Sequence, residues 1–226
     1  PFGPKRPGEP PLRSVEDIAR AAASIRFPTD LAHSKKAEEE EATRSLEREL
    51  ATKSDTQLPN MVVGTGDQTR TLDRSEVLAA LLDERRDPPI GKWPARPHPS
   101  MGLSVARSLH TDEPLPKVFI GLAQTDDWTL IPAILRWGGW NSCPHPEYHV
   151  AALRAWRDRY GAELVGMSFD TINLRVARRP STREEALALA REQYVYCPDL
   201  IDQGVGTYSA LAADLMANDW WYFWWD

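Results

Sequence analysis

The stretch ELVGMSFDTINLRVAR, Glu163–Arg178, decides the fold. Its second half alternates: Ile172, Leu174 and Val176 fall on one side, Asn173 and Arg175 on the other. That two-residue period belongs to a strand with one buried face. Its first half, Glu163–Phe169, reads as a partner strand, and Asp170 suits the tight turn between them. Helices are expected on either side. Pro146–Tyr160 begins with proline at the first helical position and places His149, Leu153, Trp156 and Tyr160 on one stripe. Gly161 follows as a C-cap. Beyond the hairpin, Ser181 and Glu184 have capping-box spacing. Ala186, Leu187, Ala190 and Tyr194 mark the buried stripe of the helix they open, and Pro198 interrupts it. Thr207 caps a further helix to Met216.

Further out, KVFIGLA at Lys117–Ala123 reads as a buried strand. Asp127–Arg136 reads as a short helix limited by Pro132, and DWWYFWWD at Asp219–Asp226 as the last strand. With minor helices set aside the order is β, α, β, β, α, β, the ferredoxin-like split pattern. The expected class is therefore α+β: a four-stranded antiparallel sheet with helices on one face. Its core is expected to hold Phe119, Leu153, Trp156, Val165, Leu174, Leu187, Ala190 and Phe223.

The N-terminal half reads differently. Residues 1–13, PFGPKRPGEPPLR, are dominated by proline and glycine and are expected to be disordered. Residues 14–115 form a charged helical and linker region. A helix capped by Ser14 runs to about Arg26. His33–Lys53 is a second helix whose only apolar pair is Leu46 and Leu50, so it has almost no face to bury. Met61–Val63 is a short strand and Ser75–Asp83 a short helix. Arg85–Pro99 is a proline-rich linker, and the α+β domain is expected over 116–226. Residues 1–13 and 33–53 are expected to add little to stability, so that a chain starting near Asp55 keeps its melting temperature.

The chain has 226 residues and a formal net charge of −6. An acidic chain without clustered Lys and Arg is a poor nucleic-acid binder, so no such partner is expected. No apolar stretch is long enough to span a bilayer, and no signal peptide is visible, so no membrane partner is expected. Two cysteines, Cys143 and Cys197, make no disulfide scaffold, and the expected compartment is the cytoplasm.

The run from Trp137 to Asp226 resembles a bacterial domain-of-unknown-function family, DUF4253. The pieces that carry the resemblance are GWN at Gly139–Asn141, HVAALRAWRDRYGAELVGMSFDT at His149–Thr171, REEALALAREQYVYCPDLIDQGVGT at Arg183–Thr207 and WYFWWD at Trp221–Asp226. The resemblance implies a domain with no assigned reaction and brings no catalytic residues.

Several clusters could carry chemistry. Cys143, His145 and His149 are zinc-ligand types, but C-x-H-x3-H matches no standard site. The plainer reading is a loop cysteine and a core-edge histidine, and no cofactor is expected. Cys197 or Asp199 with His149 could make a nucleophile–base pair; otherwise Cys197 is a buried thiol beneath Tyr194. Asp170, Asp199, Asp202 and Asp226 could do acid–base work, yet each has a turn, helix-end or terminal reason to be where it is. The final strand puts Trp221, Phe223 and Trp225 on one face and Trp220, Tyr222 and Trp224 on the other. Helices on one sheet face leave the second row to be covered by the N-terminal half or by a partner.

Two functions follow. The leading expectation is a non-enzymatic protein-binding domain, such as an immunity-like or assembly component, using Trp220, Tyr222 and Trp224. The alternative is a small hydrolase or transferase using Cys197 or Asp199 with His149.

Overall fold

A computed structural model describes residues 13–52, 62–63, 70–83, 87–100, 102–105, 111, 113–115, 117 and 120–226. The chain divides into two compact units. One comprises residues up to 31 together with 90–226, and the other residues 32–89.

The larger unit starts with α1, Val15–Ser24. The Ser14 side chain accepts the Asp17 amide, which satisfies one of the free N–H groups of the first turn. Helix α2, Thr29–Thr52, begins in this unit, where Leu31 is buried in the main core. The rest of α2 lies in the second unit and is solvated, with Arg44 and Arg48 both paired to Glu41. The second unit also holds the two-residue strands β1 (Val62–Val63) and β2 (Arg70–Thr71), paired antiparallel, and α3 (Arg74–Asp83). Asp73 accepts the Glu76 amide while Glu76 accepts the Asp73 amide, a reciprocal cap. Arg70 forks onto the same Glu76, and that hydrogen-bonded guanidinium lowers the carboxyl to about 2.

In the larger unit, Trp128–Leu130 forms a 3-10 turn that leads into α4, Ile131–Leu135. Helix α5 is Pro146–Tyr160, and its C-cap Gly161 is left-handed at φ +60. Strand β3, Ala162–Met167, and strand β4, Thr171–Val176, form the hairpin. Helix α6 follows at Arg183–Tyr196, then a π-helical turn at Leu200–Val205. Helix α7, Tyr208–Ala217, is capped by Thr207, and β5, Trp220–Trp224, closes the sheet.

The sheet order is β3-β4-β5, antiparallel throughout. Among the described residues it has three strands rather than the expected four. Residues 120–123 form no ladder, and Ile120 and Leu122 are 91% and 98% exposed; Val118 and Phe119 lie outside the described residues. A ferredoxin-like sheet would seat the first strand between β4 and the last one. Here β5 pairs directly with β4, matching Phe223 to Ile172 and Trp221 to Leu174, so that slot is filled by larger side chains.

The core lies between one sheet face and helices α5 and α6. Trp156 stacks on Phe223 at 5.2 Å, and Tyr196 meets the same ring edge-on at 5.1 Å. Leu153, Trp156, Leu174, Ala190 and Phe223 are buried as expected. Val165 is not. The register shifts between Leu164 and Gly166, and this bulge turns Val165 outward to 44% exposure. Helix α6 is set one residue later than expected: Thr182 accepts the Glu185 amide, and Glu185 accepts Ser181. The buried positions accordingly become Ala186, Leu189, Ala190, Gln193 and Tyr196, with Leu187 and Tyr194 only partly covered.

The compact unit is larger than its C-terminal segment. Ile18 and Ala22 of α1 pack on Ala133 and Val150, and Phe27 meets Trp156 edge-on at 5.3 Å. The proline-rich stretch after Pro89 is a strap rather than a free linker. The Ile90 carbonyl accepts the Ser209 amide, Trp93 lies under the Arg183 guanidinium, and His98 binds Asp214 through both backbone and ring. Proline cannot join a ladder or a helix interior, so such a stretch holds by side chains and scattered carbonyls.

Candidate functional site

The loop that leads into α5 folds back over its first turn. Within Arg136–Asn141, four residues adopt positive φ: Arg136 (+49), Gly138 (+112), Gly139 (+82) and Asn141 (+45). The Gly139 amide donates to the Cys143 and Pro144 carbonyls, which closes the loop. Cys143 is thereby set beside His149, its Sγ 3.5 Å from Nε2. The other ring nitrogen, Nδ1, lies 2.6 Å from the Tyr196 hydroxyl on α6. Cys143 is 4% exposed, and His149 and Tyr196 are fully buried. The imidazole sits among aromatic rings, with Trp137 at 4.8 Å, Tyr196 at 5.3 Å and Trp225 at 5.6 Å between centroids. Burial pushes the Tyr196 phenol well above its ordinary pKa, so it stays protonated.

The cysteine that meets His149 through a direct hydrogen bond is thus Cys143. Cys197 is the C-cap of α6, and its thiol donates to the Trp224 carbonyl at 2.9 Å. Neither cysteine is in a disulfide, and both are buried. His145 is the N-cap of α5 and is exposed while His149 points inward, so the trio Cys143, His145 and His149 does not converge. Among the described residues no three His, Cys, Asp or Glu side chains are placed to hold a metal ion.

The four aspartates are spread among local tasks. Asp199 accepts the Asp226 amide and the Gln203 side chain, each at 3.1 Å. Asp202 accepts the Tyr194 hydroxyl, and burial pushes its carboxyl up. Asp170 accepts the Ser168 hydroxyl, and its carbonyl receives the Trp225 amide. The Asp226 carbonyl receives the Asn141 side chain. Another polar cluster was not foreseen: buried Glu192 accepts both the Trp156 indole N–H and Arg159. The glutamate is charged and lies on an apolar stripe, so periodicity alone reads it as surface.

The second sheet face carries Trp220, Tyr222 and Trp224, all half-buried, beside Arg175, Asn173 and Thr171 of β4. Tyr222 and Trp224 stack at 5.6 Å. Residues 102–105 cross this face. A Cβ on Gly166 would come within 2.9 Å of the Leu103 Cδ1 methyl, so Leu103 lies over this glycine. The Ser104 amide donates to Asn173 Oδ1 at 3.1 Å. Burial raises the Tyr222 phenol, and Ser104 beside it offsets part of the rise. Asn173 is 2% exposed, and its Nδ2 has no acceptor among the described residues. At one end of the face an open depression of about 590 Å³ is lined by Glu163, Arg175, Arg179 and Asp219.

Fold and site together define a small α+β domain: a three-stranded antiparallel sheet with helices on one face, an aromatic row on the other and a buried thiol–imidazole–phenol chain at its centre. Residues 119–226 match the family described as Domain of unknown function (DUF4253). Neither a curated protein nor a solved structure matches the chain. No helix among the described residues is long and apolar enough to cross a membrane.

Proposed function

We propose that the domain is a non-enzymatic protein-binding module, an immunity-like or assembly component acting in the cytoplasm, and that its binding face is the row Trp220, Tyr222 and Trp224. The occupant is an extended, uncharged segment of a partner protein with an aliphatic side chain. The observation that carries the reading is Asn173 Nδ2, a buried donor between Gly166 and Tyr222 without an acceptor among the described residues. Such a group costs free energy until a carbonyl reaches it. The strap at 102–105 supports this choice, since it sets an aliphatic side chain over Gly166 and a backbone group on the Asn173 amide. Stacked Trp and Tyr beside it are the residue types that anchor interfaces.

The test is to pan a random displayed peptide library on the full chain and measure selected peptides by titration calorimetry. Peptides with a central aliphatic residue are expected, their binding lost in Tyr222→Ala and weakened in Asn173→Leu. An empty selection, or binding that survives replacement of Trp220, Tyr222 and Trp224, overturns the reading.

A further inference from the structure

We propose that Cys143 is a peroxide-reactive thiol, with His149 as its base and Tyr196 as the group that positions the imidazole. The proposal does not depend on the aromatic face. It rests on a continuous chain of three polar atoms inside an apolar core: Sγ to Nε2 at 3.5 Å and Nδ1 to the phenol oxygen at 2.6 Å. Nucleophile next to base, and base held by a third group, is the arrangement that activates a weak nucleophile.

The direction of proton movement follows from the tautomer. In the one that carries its proton on Nδ1, donated to the Tyr196 oxygen, Nε2 is left as the acceptor for the thiol proton. The imidazole is held in place among the rings of Trp137, Tyr196 and Trp225, all within 6 Å between centroids. Cys143 lies beside the first turn of the fifteen-residue α5, whose positive end favours a thiolate.

Burial selects the reactant. Cys143 is 4% exposed under a loop whose Gly138 would clash with His149 if it carried a Cβ, at 2.7 Å from Nε2. A bulky electrophile has no room there, whereas hydrogen peroxide is small and uncharged. In the reaction Sγ attacks one peroxide oxygen, an S–O bond forms and the O–O bond breaks. Sulfur loses two electrons and the peroxide gains them. The thiol proton passes through His149 Nε2 to the departing oxygen, which leaves as water, and Cys143 becomes a sulfenic acid.

The experiment treats the full chain with limiting hydrogen peroxide and follows the gain of one oxygen by intact mass, located by peptide mapping. Oxidation is expected at Cys143 ahead of Cys197, at the same rate in Cys197→Ser. In His149→Gln the rate should fall by about 100-fold, the lower end of what a positioned base contributes. Tyr196→Phe keeps the ring and removes only the hydroxyl. It should fold as the parent does and shift the pH profile of Cys143 oxidation. If Cys143 reacts no faster than free glutathione, or if Tyr196→Phe leaves both rate and pH profile unchanged, the proposal is overturned.

Discussion

Replacing Gly138 by alanine probes the loop that encloses the thiol–imidazole pair. Two costs add. The residue sits at φ +112, outside the region an L side chain adopts without strain, which costs about 1–3 kcal/mol. The new Cβ would also lie 2.1 Å from the Pro144 carbonyl and 2.7 Å from His149 Nε2. Neither neighbour is a free side-chain end, since one is backbone and the other is held on Tyr196, so overpacking adds roughly 1–3 kcal/mol. The total is about 2–6 kcal/mol. Gly206 supplies the control: its φ is +76, but a Cβ there meets nothing within 4 Å. Gly206→Ala should therefore cost only the backbone part, about 1–2 kcal/mol. Thermal unfolding followed by tryptophan fluorescence reads the difference, which for a chain of this size is roughly 5–10 °C in Tm. Equal losses in the two variants would show that the loop yields freely, and the tight enclosure of His149 would be refuted.

Leu31→Ala should cost about 3–5 kcal/mol, because Leu31 is 2% exposed in the main core; a loss under about 1 kcal/mol in chemical denaturation would detach that residue from the core. A chain starting near Asp55 would lose α1, Phe27 and Leu31 together, and its melting temperature should fall rather than hold. Asp127 should make the larger unit sensitive to acid. Burial pushes its carboxyl up, but Thr129 and Arg154 outweigh that and leave it below the ordinary value. Its stabilisation is then full above the unfolded-state pKa and is lost as pH falls through the lower folded value. Denaturation midpoints measured downward from pH 5 should drop less steeply in Asp127→Asn than in the parent, and identical slopes would remove the role.

Local chemistry was legible from sequence wherever the cause was local. Ser14, Pro146, Gly161 and Thr207 end their helices as their backbone needs require, and the alternation of Ile172, Leu174 and Val176 survives in β4. The bulge at Val165 was hidden because one extra residue in a strand reverses the faces without changing composition. Thr182 and Ser181 are both good caps, and only the packing of Leu189 and Tyr196 chooses between them. The contact between Cys143 and His149 depends on a loop of left-handed residues. Gly138-Gly139 is its one sequence signal, and a glycine pair alone does not say which way a loop folds. The straps at 90–98 and 102–105 hold by scattered contacts to residues more than sixty positions away, which no local pattern announces.

Tyr196 touches Phe27 on one side and Trp225 on the other, so the earliest and latest parts of the unit meet on a single ring. During synthesis this sets an order of events. Ile18, Ala22, Phe27 and Leu31 leave the ribosome first, but the surfaces that bury them appear only with α4, α5 and α6. The core itself cannot close until Phe223 and Trp225 have emerged. Contacts of such long sequence separation fold slowly. For most of its time on the ribosome, the chain therefore carries bare aliphatic and aromatic side chains, the condition under which nascent proteins call on chaperones.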